Sequence, residues 1–477
     1  MYALLFFVIT LVNATLVCAQ PGEYLSESEI ESITLLGNHH TPQELLVTHT
    51  SNNGKFIQRL AKVIETINKK EALKGAGNYT KISLRIINAT EESLARLNLS
   101  QNPYICPASH QLSCNEDQWV RDVCKIASMT FKGTKQVKRL IIDTNRGRGT
   151  KELPLQLTTI WTDTVAVKPI HSAKESEAGD YGGNIEVTPN DILYTGSNLS
   201  QEMQDFFQSK GYRDRMILFN NDWLDVGHVD EQISVVSIPN DPCGMAIIKA
   251  SPKLAIRILA AANTDIFQSI PDSYHSRPAF LNIESLRLFV KMYYQETIEL
   301  LKNKSPIVSP NDHFFSKKES YQVIIQNQII IDNIINKNVG LLKKKIKQFN
   351  PECKKIKTIS LPVLFNCRRT ENTLVEGPTP TNCLAELPNS VNMSVLGDHL
   401  LVPDPIYSPF RSFIKKKLQQ INKSPYFLRD YNCYHVLDGE IHCGTNELRV
   451  NSTVNKSSDG TTAISAATQI EGTINLQ

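Results

Sequence analysis

The chain has little net charge, no repeat of fixed period and, after its first 19 residues, no apolar run long enough to cross a bilayer. A formal net charge of +3 over 477 residues argues against a general binder of polyanions. The basic runs KKKIK from Lys343 and KKIK from Lys354 are typical of a solvated helix face and its connection, with a phosphate or membrane patch as the alternative. We therefore predict no nucleic-acid partner and no membrane partner.

The first 19 residues are typical of a secretory leader. The apolar core YALLFFVITLV is followed by Val17 and Ala19 at the two small positions before a cut ahead of Gln20. No Lys or Arg precedes this core, so an uncleaved anchor stays open. Nine Asn-x-Ser/Thr sequons follow, which fits a secreted, extracellular glycoprotein. They begin at Asn78, Asn88, Asn98, Asn198, Asn303, Asn392, Asn422, Asn451 and Asn455.

The rest of the chain divides into one long ordered region and a tail. Between residues 20 and 449 no stretch resembles an interdomain linker, and 41% hydrophobic with 21% charged residues is ordinary for a globular protein. The simplest prediction is therefore a single domain over 20–449. Residues 450–477 are rich in Ser and Thr and lack aromatic side chains, which predicts a flexible tail.

Helical and strand patterns alternate within 20–449, which favours an α/β fold. Residues 54–70 place apolar side chains on one face of a helix, and residues 81–88 follow as a strand. A further helix is predicted after residue 250, with Ser251 as its N-cap and Pro252 in its first turn. The remaining predicted elements are strands at 138–144, 215–220 and 245–250 and longer helices near 284–303 and 319–348.

The cysteine count is odd once the leader is removed. Nine cysteines remain, so in an oxidising compartment at most four bridges form and at least one thiol stays free. The count does not identify that thiol. Proximity in the sequence suggests a Cys106–Cys114 bridge and a second bridge among Cys353, Cys367 and Cys383.

Three polar segments lie where predicted strands meet loops. NEDQWVRDVCK contains Trp119 and Asp122. NDWLDVGHVDEQIS contains His228 and Asp230, whose spacing of two points both side chains to the same face of an extended segment. YHVLDGEIHCGTN contains Cys443. Taken singly, these could be a surface turn with a packed Trp, a half-buried His–Asp pair and a bridged cysteine.

Taken together, the three segments supply the parts of an enzyme active site. They hold a candidate nucleophile, a candidate acid or base and two carboxylates, with a tryptophan nearby. Two carboxylates suggest a cationic substrate, and the indole ring can cover the face of a planar cation. The interpretation favoured by the combination is therefore chemistry on a cationic group.

The combination resembles the catalytic domain of the protein-arginine deiminases. That domain has a segment like Asp-x-Trp-x-x-Asp, here 117–122, and a Trp-Leu-x-Val-Gly-His-Val-Asp-Glu segment, here unbroken over 223–231. It ends with Tyr-His and Gly-Glu-(Val/Ile)-His-Cys-Gly-Thr-Asn, here 434–435 and 439–446. The segments DTNRGRGTKELP from Asp143 and GGNIEV from Gly182 also resemble the family, in the same order, and the similarity runs roughly from Leu45 to Arg449.

The resemblance implies both a fold and an activity. The fold would be a five-bladed, pseudo-symmetric α/β propeller, the pentein fold, built from ββαβ units in a single domain with the active site in its central channel. The activity would be hydrolysis of the guanidinium of peptidyl arginine to citrulline, with release of ammonia. The animal members carry immunoglobulin-like domains ahead of this domain, whereas the residues before Trp119 are predicted here to belong to the first blade.

The same resemblance assigns the catalytic residues. Cys443 would be the nucleophile that forms a thiouronium intermediate, and His228 would be the general acid and base. Asp122 and Asp230 would hold the guanidinium by charge-assisted hydrogen bonds. Cys443 would then be the unpaired thiol, with the other eight cysteines left to pair among themselves.

Three further residues are predicted to bind substrate: Trp119, Arg148 and Arg146. Arg148 matches the family's arginine that contacts the backbone carbonyls of the substrate, and a structural salt bridge is the alternative for both arginines. Such a contact favours arginine within a peptide or protein. The alternatives left open are a deiminase or amidinotransferase of free arginine or agmatine, and a secreted binding protein with a retired active site. The oligomeric state is not indicated.

One departure from the family concerns calcium, which the animal enzymes require. The positions that match calcium ligands near the first catalytic aspartate are Arg121, Val123 and Lys125, and none of them can bind a hard cation. Asp143 and Glu186 match acidic ligand positions and are retained as a remnant. We predict that Lys125 or Arg121 supplies the missing positive charge by pairing with Glu186, so that no cofactor is needed.

Overall fold

The computed structural model describes residues 22–75, 80–107, 112, 114, 117–161, 163–172, 174–261, 278–293, 297–299, 301, 317–367 and 380–450. The predicted leader and tail lie outside these residues, and so do the sequons at Asn78, Asn303, Asn451 and Asn455. The described part is a mixed α/β structure, as predicted. No helix within it is both long enough and apolar enough to cross a membrane.

The strands and helices are numbered here in chain order. The strands are β1 (Tyr24–Leu25), β2 (Ile30–Leu35), β3 (Thr41–Thr48), β4 (Ser83–Ile87), β5 (Cys124–Phe131), β6 (Val137–Asp143), β7 (Thr164–Val167), β8 (Ile185–Val187), β9 (Leu193–Gly196), β10 (Met216–Phe219), β11 (Ile233–Ser237), β12 (Met245–Ser251), β13 (Lys357–Pro362), β14 (Phe365–Cys367), β15 (Cys383–Ala385), β16 (Ser394–Leu396), β17 (His399–Pro403), β18 (Ser424–Leu428) and β19 (Thr445–Val450). The α-helices are α1 (Gly54–Leu73), α2 (Glu91–Arg96), α3 (Leu153–Ile160), α4 (Gln201–Phe207), α5 (Pro252–Ala261), α6 (Pro278–Met292), α7 (Lys317–Phe349) and α8 (Ser408–Gln419).

Five of the sheets repeat one connection pattern. In each, an antiparallel pair of strands is followed by at least one helix and then by a strand that joins the pair in parallel, and α6 and α7 are additional helices between α5 and β13. The units are β19–β3–α1–β4, β5–β6–α3–β7, β8–β9–α4–β10, β11–β12–α5–β13 and β16–β17–α8–β18. This is the ββαβ unit that the resemblance implied. The propeller arrangement and the single domain remain predictions.

The unit that contains β19 joins the two ends of the described chain. Residues 445–450 pair antiparallel with residues 41–47, although the paired residues are at least 398 positions apart in sequence. Helix α1 covers this sheet because Phe56, Leu60 and Ile64 recur at helical spacing and are fully buried against it. Strand β19 is therefore held in place by its pairing with β3, in a sheet that α1 covers.

Most predicted elements coincide with observed ones. The strands at 81–88, 138–144, 215–220 and 245–250 correspond to β4, β6, β10 and β12, and the helices at 54–70 and 319–348 to α1 and α7. The hydroxyl of Ser251 accepts the Leu254 N–H at 3.4 Å, as expected of an N-cap. The helix predicted near 284–303 is confirmed in part: α6 begins earlier, at Pro278, a residue suited to a first helical turn, and ends at Met292, while residues 297–299 and 301 are also helical.

The cysteine pairing differs from the expectation. Disulfides join Cys243 to Cys353 and Cys367 to Cys383, so only the second lies wholly within the predicted trio. The Cys106–Cys114 prediction was wrong, because those thiols are free and bond to Glu44 and Thr48 instead. The expectation that eight cysteines pair was wrong as well. The free cysteines among the described residues are Cys106, Cys114, Cys124, Cys433 and Cys443.

Candidate active site

The first strand of each ββαβ unit follows a segment that contributes to one polar cluster. Residues 120–123 precede β5, 182–184 precede β8 and 229–231 precede β11, each as a single 3₁₀ turn. Asn392 and Cys443 stand two residues before β16 and β19. The repeated topology thus explains how residues far apart in sequence reach the same place.

Cys443 lies at the centre of this cluster. Its Sγ is 3.2 Å from Asn392 Nδ2 and 3.7 Å from Asp230 Oδ2. The sulfur, a ring nitrogen of His228 and a carboxylate oxygen of Asp230 all lie within 4.8 Å of one another. Cys443 is 7% exposed, whereas His228 is completely buried. Three of the four predicted catalytic side chains therefore share one small volume.

Hydrogen bonding fixes the tautomer of His228. Its Nε2 is 2.9 Å from the Ala178 carbonyl oxygen, which can only accept, so Nε2 carries a proton. In the neutral ring Nδ1 then holds the lone pair, and this buried atom has no hydrogen-bond partner. Asp122 Oδ1 is the nearest acidic atom, at 3.9 Å. His228 is thus set to accept a proton at Nδ1.

The two predicted carboxylates each have one satisfied and one unsatisfied oxygen. Asp122 Oδ2 accepts from Arg146 at 3.3 Å, and Asp230 Oδ2 is hydrogen-bonded to His442 Nδ1 at 2.7 Å. The Oδ1 atoms of both aspartates are buried and have no partner. Unsatisfied buried polar atoms are uncommon and require an explanation. Three such atoms lie in this one cluster: Asp122 Oδ1, Asp230 Oδ1 and His228 Nδ1.

Gly183 provides the space that these atoms enclose. A β-carbon added to it would lie 2.7 Å from His228 Nδ1, 3.0 Å from Asp230 Oδ2 and 3.4 Å from Asp122 Oδ1. All four predicted catalytic side chains are therefore brought together, and a glycine keeps the space between three of them open. Sequence reasoning included Gly183 in a matching segment without assigning it this purpose.

Burial favours the uncharged forms of the central groups. Burial, together with the negative charges of Asp230 and Asp122, raises the pKa of the Cys443 thiol well above its ordinary value. Burial lowers the pKa of His228, with Asp122 opposing that shift. Burial also raises the pKa of Asp230 well above the usual range for a carboxyl. The site thus favours a neutral thiol and a neutral imidazole until a cation enters.

Two buried ion pairs lie behind the cluster. Lys125 Nζ is 2.7 Å from Glu186 Oε1, and Arg121 Nη2 is 2.6 Å from Glu447 Oε2, with all four side chains almost inaccessible to solvent. Lys125 therefore forms the pairing with Glu186 that was predicted. Asp143, the other acidic remnant, is elsewhere engaged, since it accepts from Tyr24 Oη and from the Asn145 N–H.

The predicted substrate-binding residues occupy different positions. Arg146 is buried, pairs with Asp117 at 3.0 Å and with Asp122 at 3.3 Å, and so forms the structural salt bridge that was the alternative. Arg148 is exposed, in a left-handed conformation with φ 58°. Trp119 packs against Gly439, where an added β-carbon would lie 2.5 Å from its ring.

A cleft borders Cys443. Its lining residues are Val226, Glu231, Leu384, Ala385, Asn389, Asn392, His435, Asp438, Gly439, Glu440 and Cys443. Asn392 was noted in the sequence only as a sequon, but it is 1% exposed and its amide contacts Cys443. That sequon is therefore inaccessible in the folded protein. His442, which holds Asp230, was also missed, although its position beside Cys443 was a signal.

Glu231, which accepts the backbone N–H of His228 at 3.0 Å, gives a prediction for stability. Burial raises its pKa from 4.5 to about 8, so between those values the folded protein binds a proton that the unfolded chain has lost. The free energy of unfolding therefore falls as the pH rises through this window, by about 2 kcal/mol from pH 6 to pH 8. Urea unfolding of wild type and Glu231→Gln should show a flatter pH dependence in the variant. Parallel curves would contradict the assignment.

Comparisons with known proteins give a consistent match. The profile of the family described as Protein-arginine deiminase (PAD) matches residues 33–455. Protein-arginine deiminase type-4 of Homo sapiens is 26% identical over 371 residues, which cover 72% of this chain and 48% of the human protein. The type-4 protein of Mus musculus is 24% identical over 439 residues, which cover 86% of this chain and 53% of the mouse protein. The chain thus spans about half the length of these relatives.

Solved structures also match the described chain. The C. jejuni agmatine deiminase is 12% identical in sequence, with a TM-score of 0.45. The match covers 88% of this chain and 96% of the other. The alignment therefore extends over most of both chains, although few residues are identical and the backbones superpose poorly.

Proposed function

The chain belongs to the protein-arginine deiminase family, and from that premise we propose that it hydrolyses the guanidinium of peptidyl arginine to citrulline and ammonia. The observation that carries the proposal is the cluster of Cys443, His228, Asp122 and Asp230 around three unpartnered buried atoms. A cationic group bearing several N–H donors is the ligand that satisfies such atoms. Arginine is the amino acid that carries one.

Binding would rest on the two carboxylates. The guanidinium has donors in a planar fork, and the free Oδ1 atoms of Asp122 and Asp230 are the acceptors that suit it. Its positive charge would offset the energetic cost of keeping both carboxylates charged in a buried site. The same charge, placed beside the sulfur, would favour the thiolate over the thiol. Without it, burial and the two carboxylates raise the pKa of Cys443 and favour the thiol.

In the first chemical step Cys443 would attack the central guanidinium carbon. The thiol proton passes to His228 Nδ1, the S–C bond forms, and the imidazolium then protonates the leaving nitrogen as the C–N bond breaks and ammonia departs. The product is a thiouronium carried on Cys443. The neutral, Nε2-protonated His228 is the form needed to start this step.

In the second step water would replace the sulfur. His228 Nδ1 takes one proton from water as the new C–O bond forms, and the S–C bond then breaks to release the Cys443 thiolate. The remaining hydroxyl proton passes to solvent, where the released ammonia takes it, which leaves citrulline. The imidazolium then returns its proton to the thiolate and restores the starting forms of both side chains. Each well-placed proton transfer accelerates the reaction by roughly a hundred- to ten-thousandfold. Asp230, held by His442, and Asp122, held by Arg146, would keep the substrate aligned throughout.

We further propose that the reaction needs no calcium. The residues at the matching ligand positions do not fit that ion, because Arg121 and Lys125 are buried cations and Val123 is apolar. Glu186, a carboxylate that would serve a metal, is bonded to Lys125 at 2.7 Å. Lys125 would thus provide within the chain the positive charge that calcium provides in the animal enzymes.

Preference for peptides over free arginine would come from Arg148 and Trp119. Arg148 is exposed and can donate several hydrogen bonds to backbone carbonyls of a bound chain. Trp119 can cover the aliphatic or cationic part of the arginine side chain. Secretion is part of the proposal as well, since two disulfides fit an oxidising compartment.

The test is citrulline release from a blocked arginine peptide, compared with free arginine and agmatine, with and without a calcium chelator. We expect turnover of the peptide to exceed that of both small guanidines and to be unchanged by the chelator. Faster turnover of agmatine or arginine would favour the small-guanidine alternative. Activity lost in chelator and restored by calcium would refute the calcium proposal alone. No turnover of any guanidine by a protein that folds would indicate a retired active site.

A further inference from the structure

We propose that the candidate active site also binds a single Zn²⁺ ion, through Cys443 Sγ, His228 Nδ1 and a carboxylate oxygen of Asp230, and that the ion excludes substrate. The metal site itself depends only on the geometry of these three side chains. Its inhibitory effect rests on the proposed function. The two parts are therefore tested separately.

The spacing of the donor atoms suits a small tetrahedral ion. The sulfur and Asp230 Oδ2 are 3.7 Å apart, and all three donor atoms lie within 4.8 Å of one another. With Zn–S near 2.3 Å and Zn–N or Zn–O near 2.0 Å, tetrahedral angles place ligand atoms about 3.3–3.8 Å apart. The distance from the sulfur to Asp230 Oδ2 already lies in that range, and the imidazole nitrogen would move into it on binding.

The imidazole is already in the form that a metal requires. Because His228 Nε2 donates to the Ala178 carbonyl oxygen at 2.9 Å, the lone pair is on Nδ1. Nδ1 is buried and has no hydrogen-bond partner, and a ring nitrogen of His228 lies within 4.8 Å of the sulfur. An outer hydrogen bond of this kind fixes the ring orientation of histidine ligands in metal sites generally.

The carboxylate and the sulfur are held in the same way. Asp230 Oδ2 is hydrogen-bonded to His442 Nδ1 at 2.7 Å, while Oδ1 is buried with no partner. Cys443 Sγ contacts Asn392 Nδ2 at 3.2 Å, a donor that stabilises a thiolate. Each proposed ligand thus has one supporting contact outside the site and donor capacity left for a metal.

The donor set selects the class of ion. Sulfur, imidazole nitrogen and one carboxylate favour Zn²⁺ over Ca²⁺ or Mg²⁺, which prefer oxygen donors alone. Three protein ligands leave a fourth position for water. On binding, Cys443 releases its proton to solvent and forms the S–Zn bond. The nucleophile, the base and one substrate carboxylate are then all occupied, so ion and substrate exclude each other.

The binding test uses the full chain after treatment with a chelator. Zn²⁺ is titrated in competition with a chromophoric zinc indicator, and Co²⁺ is added separately to report a thiolate-to-metal charge-transfer band. We expect one ion per chain, a Co²⁺ band, and no competition from Ca²⁺. Cys443→Ala and His228→Ala should each weaken Zn²⁺ binding at least about 100-fold and abolish the band.

The matched control is Cys433→Ala, a buried free thiol of the same C-terminal segment that bonds to the Asp430 carbonyl. It should bind Zn²⁺ as the wild type does, and circular dichroism confirms folding of each variant. Unchanged affinity in both ligand variants, or a band that survives Cys443→Ala, would overturn the site. Bound Zn²⁺ that leaves citrulline release unaffected would overturn the inhibition. A chain that binds Zn²⁺ but never releases citrulline would refute the proposed function and support the metal site.

Discussion

Replacing Cys443 by alanine is expected to lower kcat/KM for a blocked arginine peptide by at least about 10⁴-fold, the scale seen when a covalent nucleophile is removed. The sulfur is the group in the cluster that would bond to the guanidinium carbon, and water, even with His228 as its base, is a far weaker nucleophile than a thiolate. Asp122, Asp230 and His228 keep their partners in the variant. The loss should therefore appear in kcat, with little change in peptide binding.

Cys433→Ala is the control for this experiment as well. Its thiol is free and buried, ten residues before Cys443, but its sulfur bonds to Asp430 and lines no part of the cleft. We expect that variant to retain most of its activity. A haloacetamidine probe should label wild type and Cys433→Ala but not Cys443→Ala. A folded Cys443→Ala protein with a tenth of wild-type activity would exclude covalent catalysis by this residue.

The sequence identified the catalytic candidates because three of its segments carry distinctive local patterns. His228 and Asp230 are two apart, and Cys443 stands in His-Cys-Gly-Thr-Asn, so both could be found without knowing the fold. Asn392 could not be found in this way. Its surroundings show only a sequon, and its contact with Cys443 follows from its place before β16 in the repeated ββαβ unit.

Pairings between distant residues were the least predictable from sequence. Cys243 bonds to a cysteine 110 positions later because β12 and β13 lie side by side and bring their ends together. Proximity in sequence could not show this, and it suggested Cys106–Cys114 wrongly. Lys125 and Glu186 are also far apart in sequence. Their pairing was predictable only because both positions match calcium-ligand positions of the family. A chain without calcium would need another positive charge there, and Lys125 was a candidate to supply it to Glu186.

The second large effect is expected from Lys125→Met, which should destabilise the folded protein by about 3–5 kcal/mol. Methionine keeps the length of the side chain but leaves the Glu186 carboxylate buried without its partner at 2.7 Å. Burial already lowers the pKa of Lys125, so its charge is maintained by that pairing. Urea unfolding monitored by circular dichroism measures the loss as a lower midpoint at unchanged slope.

Lys69→Met is the matched control, because Lys69 pairs with Glu65 at 2.6 Å on the surface. That pair is screened by solvent and should contribute far less to stability than the buried Lys125–Glu186 pair. Adding Glu186→Gln to Lys125→Met should recover part of the stability, since the unpaired charge is then removed. If Lys125→Met and Lys69→Met lose the same free energy of unfolding, the buried Lys125–Glu186 pair contributes no more to stability than an exposed pair.

Activity of Lys125→Met should fall as well, because Glu186 lies between Lys125 and the catalytic cluster. Glu186 Oε1 is 3.8 Å from His442 Nε2, and His442 Nδ1 is bonded to Asp230 at 2.7 Å. An unpaired Glu186 charge would attract a proton onto His442 and pull it from the position that holds Asp230. If Lys125→Met/Glu186→Gln regains stability and citrulline release together, the buried pair supports the substrate carboxylate through His442. Stability regained without activity would limit Lys125 to a structural role.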